Sequence, residues 1–460
     1  MSRFPGIPVA AGPWWAGPAI LALAVLATPL RAAAGPPPGV AGAARDSFSI
    51  VECARLAGAL APGPRAADAD ARAASLDSVS AWRKPRWVAS WFTDATVAPR
   101  GSYDPTFTDL GQYQLKAGIE VSILDAGSRR RTRQHAALGA RSAALASAQV
   151  RRDAALRAAE LAVHALELDE KAAAEDQSAD WLERLASLIE SGVAGGARSR
   201  TDVLRVMLAR DAVATALAET RRDLDATRRE LNQLLGRPPE ATLRIRAPDS
   251  TEERAPESAD LERLATTPDH APEVGLAEMV QAGADVDVAE ARSRTAPHAA
   301  VSVDGGLAGT DLTRAVPPDL RESNPDATFA DRLRRDLGTS VSMQVSLPVR
   351  DPSLAPALKA RRAAAEAAGI RRESERGTQQ RIALDLAATW RDAFHRLGLA
   401  RLSAARADEH LLRTKSLHAA GAISLLELLD ARSLVDDARE RLAEVRADGR
   451  RARAFAELRP

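Results

Sequence analysis

The sequence predicts a mixed α and β chain. Four β-strands contribute to an oligomeric transmembrane β-barrel, and long antiparallel α-helical hairpins continue it. Three observations carry this expectation. Two segments alternate apolar and polar residues with a period of two. Two stretches, 129–191 and 357–420, are rich in helix formers and carry no proline. Both features occur twice, in the same order along the chain.

Composition sets the frame. The chain has 460 residues and a net charge of +1. With 45% hydrophobic and 27% charged residues, it is neither a disordered tail nor a multi-span helical membrane protein. A charge near zero excludes a dedicated nucleic-acid binder. Arg and Asp/Glu are interleaved, as on solvated helix faces. Residues 1–34 read as a signal peptide. Arg3 is the basic start, Ala16 to Ala27 the apolar stretch and Ala32-Ala33-Ala34 the small-residue cleavage site. A disordered Ala/Pro tail is the alternative. Cys53 is the only cysteine, so no internal disulfide forms. Its neighbours Ile50-Val51-Glu52-Cys53-Ala54 read as helix and make it a small buried residue. No later stretch reaches the ~18 apolar residues of a transmembrane helix. An exported chain of this kind is periplasmic, secreted or a barrel in the outer membrane.

The chain reads as an internal duplication. Ile119 to Ile123 resembles Met343 to Leu347, and Thr201 to Leu204 resembles Leu426 to Leu429, at nearly one offset. The repeats span 46–236 and 262–460, joined by a Pro- and charge-rich connector, 237–261. Each begins with a short helix. In the first follow a strand pair within 86–124, the long helix 129–191 and a helix over 198–235. In the second follow a strand pair within 298–349, the long helix 357–420 and a helix over 422–458.

The strands carry the membrane signal. Leu115, Ala117, Ile119, Val121 and Ile123 alternate with Lys116, Gly118, Glu120 and Ser122. Val341, Met343, Val345 and Leu347 alternate with Ser340, Ser342, Gln344 and Ser346. A strand with one apolar and one polar face results. Trp82, Trp87, Trp91, Phe92, Tyr103, Phe107 and Tyr113 crowd into one stretch of an aromatic-poor chain, as at the membrane interfaces of barrels. An amphipathic hairpin on a soluble core is the rival reading. Four strands cannot close a barrel alone, and open edges cannot face lipid. The membrane reading therefore requires a homo-oligomer.

The long helices exceed any single globular core and must pack side by side as coiled coils. Leu428, Ala431, Val435, Ala438, Leu442 and Val445 follow 3–4 spacing. Leu217, Leu224 and Leu231 recur every seven residues. Gly192-Val193-Ala194-Gly195-Gly196 and Gly421 break the helices at matching places, so each repeat forms a hairpin with its turn far from the strands.

The chain resembles the TolC-type outer-membrane efflux protein family over nearly all of its mature length. The resemblance rests on Phe48-Ser49-Ile50-Val51-Glu52-Cys53-Ala54, on Val345-Ser346-Leu347-Pro348-Val349-Arg350-Asp351, and most specifically on Gly421-Ala422-Ile423-Ser424-Leu425-Leu426-Glu427-Leu428-Leu429-Asp430-Ala431-Arg432. It implies a homotrimer with a shared twelve-stranded barrel and a helical tunnel through the periplasm. It also implies a periplasmic adaptor protein, an inner-membrane pump (RND, ABC or MFS type) and outer-membrane lipid as partners, with no cofactor. The chain departs from the family's pattern at Ile423, where some members carry Arg, and in the long charged loop from Gly305 to Arg335.

No catalytic constellation is present. His135, His164, His270, His298, His395, His410 and His418 are scattered, and no metal site is expected. His410 and His418 read as solvated helix histidines. Glu427 and Asp430 share one helix face near the turn. In a trimer they would ring the periplasmic entrance with negative charge, and in the family the matching positions affect ion passage. Asp202 is the matching candidate in the first repeat. The plainer reading is a helix start that accepts acidic residues because of its dipole. Gly192, Ala197, Gly421 and Ala422 mark the hairpin tips where an adaptor would dock. Two rival functions remain: a periplasmic adaptor, which would carry one hairpin inside a β-rich domain, and a structural coiled-coil scaffold, which would lack amphipathic strands.

Overall fold

The computed structural model describes residues 46–96, 112–195, 199–247, 255–266, 270–310, 316, 318–346 and 352–459. The signal-peptide expectation for 1–34, Tyr103, Phe107, Ala197, Leu347 and the Leu347 to Asp351 part of the second motif fall outside them.

The chain starts with strand β1 (Ser47–Phe48), then helices α1 (Ile50–Leu60) and α2 (Pro62–Arg83). Ser49 and Glu52 form a reciprocal capping box at the start of α1. Pro62 opens α2; it has no N–H to donate, so it begins a second helix where one short helix was expected. Strands β2 (Trp87–Thr96) and β3 (Gln112–Leu124) follow, then α3 (Ser128–Ala194) and α4 (Arg200–Leu234). Strand β4 (Arg244–Ile245) pairs in parallel with β1. The connector read as irregular therefore ties back to the chain start. Next come α5 (Ser258–Thr266), α6 (Pro272–Ser293) and β5 (His298–Thr310). Two short helices, α7 (Pro318–Ser323) and α8 (Phe329–Asp336), lie in the segment read as a charged loop. Thr328 and Asp331 cap α8 reciprocally, and Arg332 pairs with Asp336 inside it. Strand β6 (Leu337–Ser346), α9 (Leu354–Ala419) and α10 (Leu425–Leu458) complete the order.

At 67 and 66 residues, α3 and α9 each run about 100 Å. Each folds back against its shorter partner, α3 on α4 and α9 on α10. Three clusters hold the helices. The first joins Phe48, Ile50 and Cys53 to the middle of α3 (Ala158, Leu161, Ala162), to Leu231 and Leu243, and to Ala447 and Ala454 of α10. Alanines dominate it, so the helix axes approach closely. A smaller cluster seats Leu264 of α5 against Trp390, Ala452 and Ala456. The third lies at the hairpin ends. It gathers Leu182, Leu185 and Ile189 of α3, Val203 and Val206 of α4, and Leu425 and Leu428 of α10.

Ion pairs fix the register between the two hairpins. Arg432 of α10 is buried and lies 2.8 Å from Asp436, while Ser178 of α3 donates to the same carboxylate at 2.8 Å. The Arg432 guanidinium stacks on Trp181. Arg450 reaches Glu170 at 2.8 Å, and Lys171 reaches Glu440. The hydrogen bond from Lys171 to Glu440 raises the lysine pKa above its ordinary value, against the opposing effect of burial.

Candidate functional site

The four strands of the larger sheet run β2-β3-β5-β6, all antiparallel. Register determines which residues share a face, because side chains directly opposite one another point the same way. One face carries the rows Trp87-Val121-Val301-Met343, Ala89-Ile119-Val303-Val341 and Thr93-Leu115-Leu307-Leu337. The other carries Val88-Glu120-Ser302-Ser342, Ser90-Gly118-Asp304-Ser340 and Phe92-Lys116-Gly306-Gly338. The first face is mostly apolar across all four strands, with Thr93 and Thr339 as exceptions. The second is mostly polar, with Val88 and Phe92 as exceptions on its edge strand.

Of the residues expected on the apolar face, Leu115, Ala117, Ile119, Val121, Val341, Met343 and Val345 lie there by register. Ile123 is exposed beside an irregularity in the β3–β5 pairing. Among the described residues, no layer covers this face. Val341 is 73% exposed, Met343 65% and Trp91 73%. On the polar face Ser302 and Ser342 are hydrogen-bonded at 2.7 Å, and Ser302 donates to Asp304 at 3.2 Å. Asp304 lies directly over Gly118, and Gly306 lets its strand close on the Leu115 backbone, where a Cβ would collide. Period-two patterning missed this part of the site, because glycines interrupt β5.

At the opposite end the fold brings the two hairpin turns together. Val203 and Leu428 belong to one cluster, so Asp202 and Glu427 sit at the same end of the bundle. Asp202 is half-buried and lies 3.7 Å from Arg205. Glu427 is exposed and closes a capping box with Ser424, each accepting from the other's backbone N–H at 3.3 Å. Asp430 is exposed one turn further along. Gly192 is half-buried in the last turn of α3, and Gly421 and Ala422 are exposed. Gly421 takes φ +73°, the left-handed conformation that ends a helix most readily as glycine. His418 corrects the expectation of a solvated ring. It is buried, with Nδ1 donating to the Ile423 carbonyl at 3.2 Å, and so locks the turn. His410 is exposed, as expected.

Among the described residues no helix is long and apolar enough to cross a membrane.

No protein-family profile and no curated protein sequence matches this chain. Solved structures do. The chain is similar to the outer membrane protein VceC of Vibrio cholerae at 15% identity and TM-score 0.70, over 89% of this chain and 94% of that one. A membrane protein from Pseudomonas aeruginosa matches at 16% identity and TM-score 0.71, over 89% and 93%. The CmeC outer membrane channel of Campylobacter jejuni matches at 12% identity and TM-score 0.69, over 89% and 84%. At these identities the likeness establishes the fold: the chain folds as these proteins do.

Proposed function

We propose that the chain is the protomer of a TolC-type outer-membrane channel, the passive exit duct of a tripartite efflux or secretion system. The observation that carries this is the two-faced sheet. Its apolar face spans four strands, is exposed, and has no covering layer among the described residues. Water would make such a face costly, whereas lipid would match it. The helices supply the second support, since a hairpin of about 100 Å suits a conduit through the periplasm better than a globular core.

Among the described residues, β2 and β6 are the unpaired edges of the sheet. Lipid tolerates neither, so closure requires further copies. Likeness to the channel fold favours three copies and twelve strands in total. In that assembly the polar face, with Lys116, Glu120 and Asp304, would line the lumen. The order α1-α2-β2-β3-α3-α4 recurs as α5-α6-β5-β6-α9-α10, with α7 and α8 inserted between β5 and β6, and supports the internal duplication. The chain would sit in the outer membrane of a Gram-negative cell and extend into the periplasm, with 1–34 directing export. Its tips, at Gly192, Ala197, Gly421 and Ala422, would meet a periplasmic adaptor below which an inner-membrane pump drives transport. Glu427 and Asp430, with Asp202 beside them, would ring the entrance. No chemical step is assigned to the chain.

Cell fractionation tests the reading. The protein should partition with outer membranes and run as a heat-sensitive oligomer of three chains. A soluble monomer in the periplasm would refute it.

A further inference from the structure

We propose that His135, Asp287 and Glu290 bind a divalent transition-metal ion that clips α3 to α6 beneath the β-sheet. His135 lies in the third turn of α3, just after β3. Asp287 and Glu290 lie one turn apart near the end of α6, just before β5. Sequence spacing gives no hint of the group, since its members come from different repeats. The fold brings one ligand atom from each within 4.8 Å of the others.

The chemistry of the donor set selects the ion. An imidazole with two carboxylates suits Zn²⁺, Ni²⁺ or Co²⁺, whereas Mg²⁺ and Ca²⁺ prefer oxygen alone. The distances fit as well. His135 Nε2 lies 3.3 Å from Asp287 Oδ1. That is longer than the roughly 2.7–2.9 Å of a charge-assisted hydrogen bond. It matches the separation of about 3.3 Å between two donors held about 2.0–2.1 Å from a tetrahedral zinc ion. Glu290 is exposed and long enough to swing in as the third ligand, leaving a fourth position to water.

The surroundings orient the ligands. Arg361 of α9 holds the other oxygen of Asp287 at 3.3 Å, so Oδ1 stays turned toward His135. Carboxylate ligands are commonly held this way by a second partner. Arg294 lies 3.9 Å from Glu290, a loose surface pair that a metal would displace readily. Both helices are long or packed on two sides, α6 lying against α3 and α9. The bound ion would therefore cross-link α3 and α6 directly below the strands, with Arg361 tying α9 to the same carboxylate.

Isothermal titration of the full-length protein in detergent, stripped of metal and titrated with zinc chloride, tests this. The expected result is saturable binding of one ion per chain, with no competition from excess magnesium. His135→Ala should weaken it at least roughly tenfold, as loss of even an outer-shell partner does, and Glu290→Gln should weaken it less. His395→Ala, at an exposed site on α9, should leave it unchanged. Cobalt added to the unaltered protein should give visible absorption of a low-symmetry nitrogen–oxygen site, a readout that needs no variant to fold. Zinc binding equal in the wild type and His135→Ala, absence of saturable binding, or a cobalt spectrum of the hexa-aqua ion would each overturn the proposal.

Discussion

Cys53 shows how burial governs a single residue. It is fully buried beside α3, and burial pushes its thiol up to about 12; the Glu52 charge adds to this and Arg237 opposes it. The folded state thus favours the neutral thiol. Its contribution to stability is full below the unfolded pKa of about 8.5 and is lost as pH rises toward 12. A maleimide at pH 8 should leave the folded protein unlabelled and label it fully in denaturant; fast labelling of the folded protein would contradict this burial. The strand faces yield a sharper test. Val345→Arg places a charge on the apolar face and should cost about 2–4 kcal/mol near mid-bilayer, while Ser346→Arg should cost far less. Refolding into lipid vesicles measures both, and equal tolerance would argue for a sheet in water. At the tips, Glu427→Ala with Asp430→Ala should reduce cation preference and trivalent-cation block in planar bilayers. The effect should fade as salt shortens the screening length to about 10 Å at 0.1 M. Unchanged selectivity would leave Glu427 as the helix cap its bond to Ser424 already makes it. Sequence placed these carboxylates on one helix face, but it missed the buried His418, because nothing in a helical pattern reveals that a ring folds back on the following turn.

Elements were legible where local chemistry decides them. Ser49–Glu52 and Ser424–Glu427 are capping boxes, both lie in motifs on which the family resemblance rests, and each starts a helix. The long helices and the strand pairs fell within a few residues of their expected bounds, since period and composition repeat many times within each. The short pieces were not legible. β1 and β4 have two residues each and exist through pairing across the chain. α8 arises inside a charged loop from a capping box and an internal Arg332–Asp336 pair, and Arg335 ties it to Asp319 of α7. Packing between repeats was equally hidden. Arg152 of α3 forks onto Glu273 of α6. Burial pushes the Glu273 carboxyl up, but the hydrogen bonds and charge of Arg152 outweigh it and leave the pKa below its ordinary value of 4.5. The pair therefore adds stability above about pH 4.5 that is lost on acidification. Glu273→Gln should lower stability at pH 7 by roughly 1–3 kcal/mol, and by less near pH 3, in urea unfolding. An equal loss at both pH values would show that the charge contributes nothing.

On the scale of the molecule, four strands, two long hairpins and one apolar face left uncovered by the described residues fit the proposed assembly in lipid. In the proposed assembly, docking belongs to the far end. A photo-crosslinker at Ala422 should capture a periplasmic protein, whereas one at Phe329, in α8 beside the sheet, should not. The proposed function puts one face of the sheet against lipid and the other against water. Spin labels placed singly from Ser340 to Val345, in a Cys53→Ala background reconstituted in liposomes, test it most directly. Collision with oxygen, which partitions into lipid, should peak at 341, 343 and 345, and collision with a water-soluble nickel chelate should peak at 340, 342 and 344. Equal access of the nickel chelate to all six positions would contradict the account.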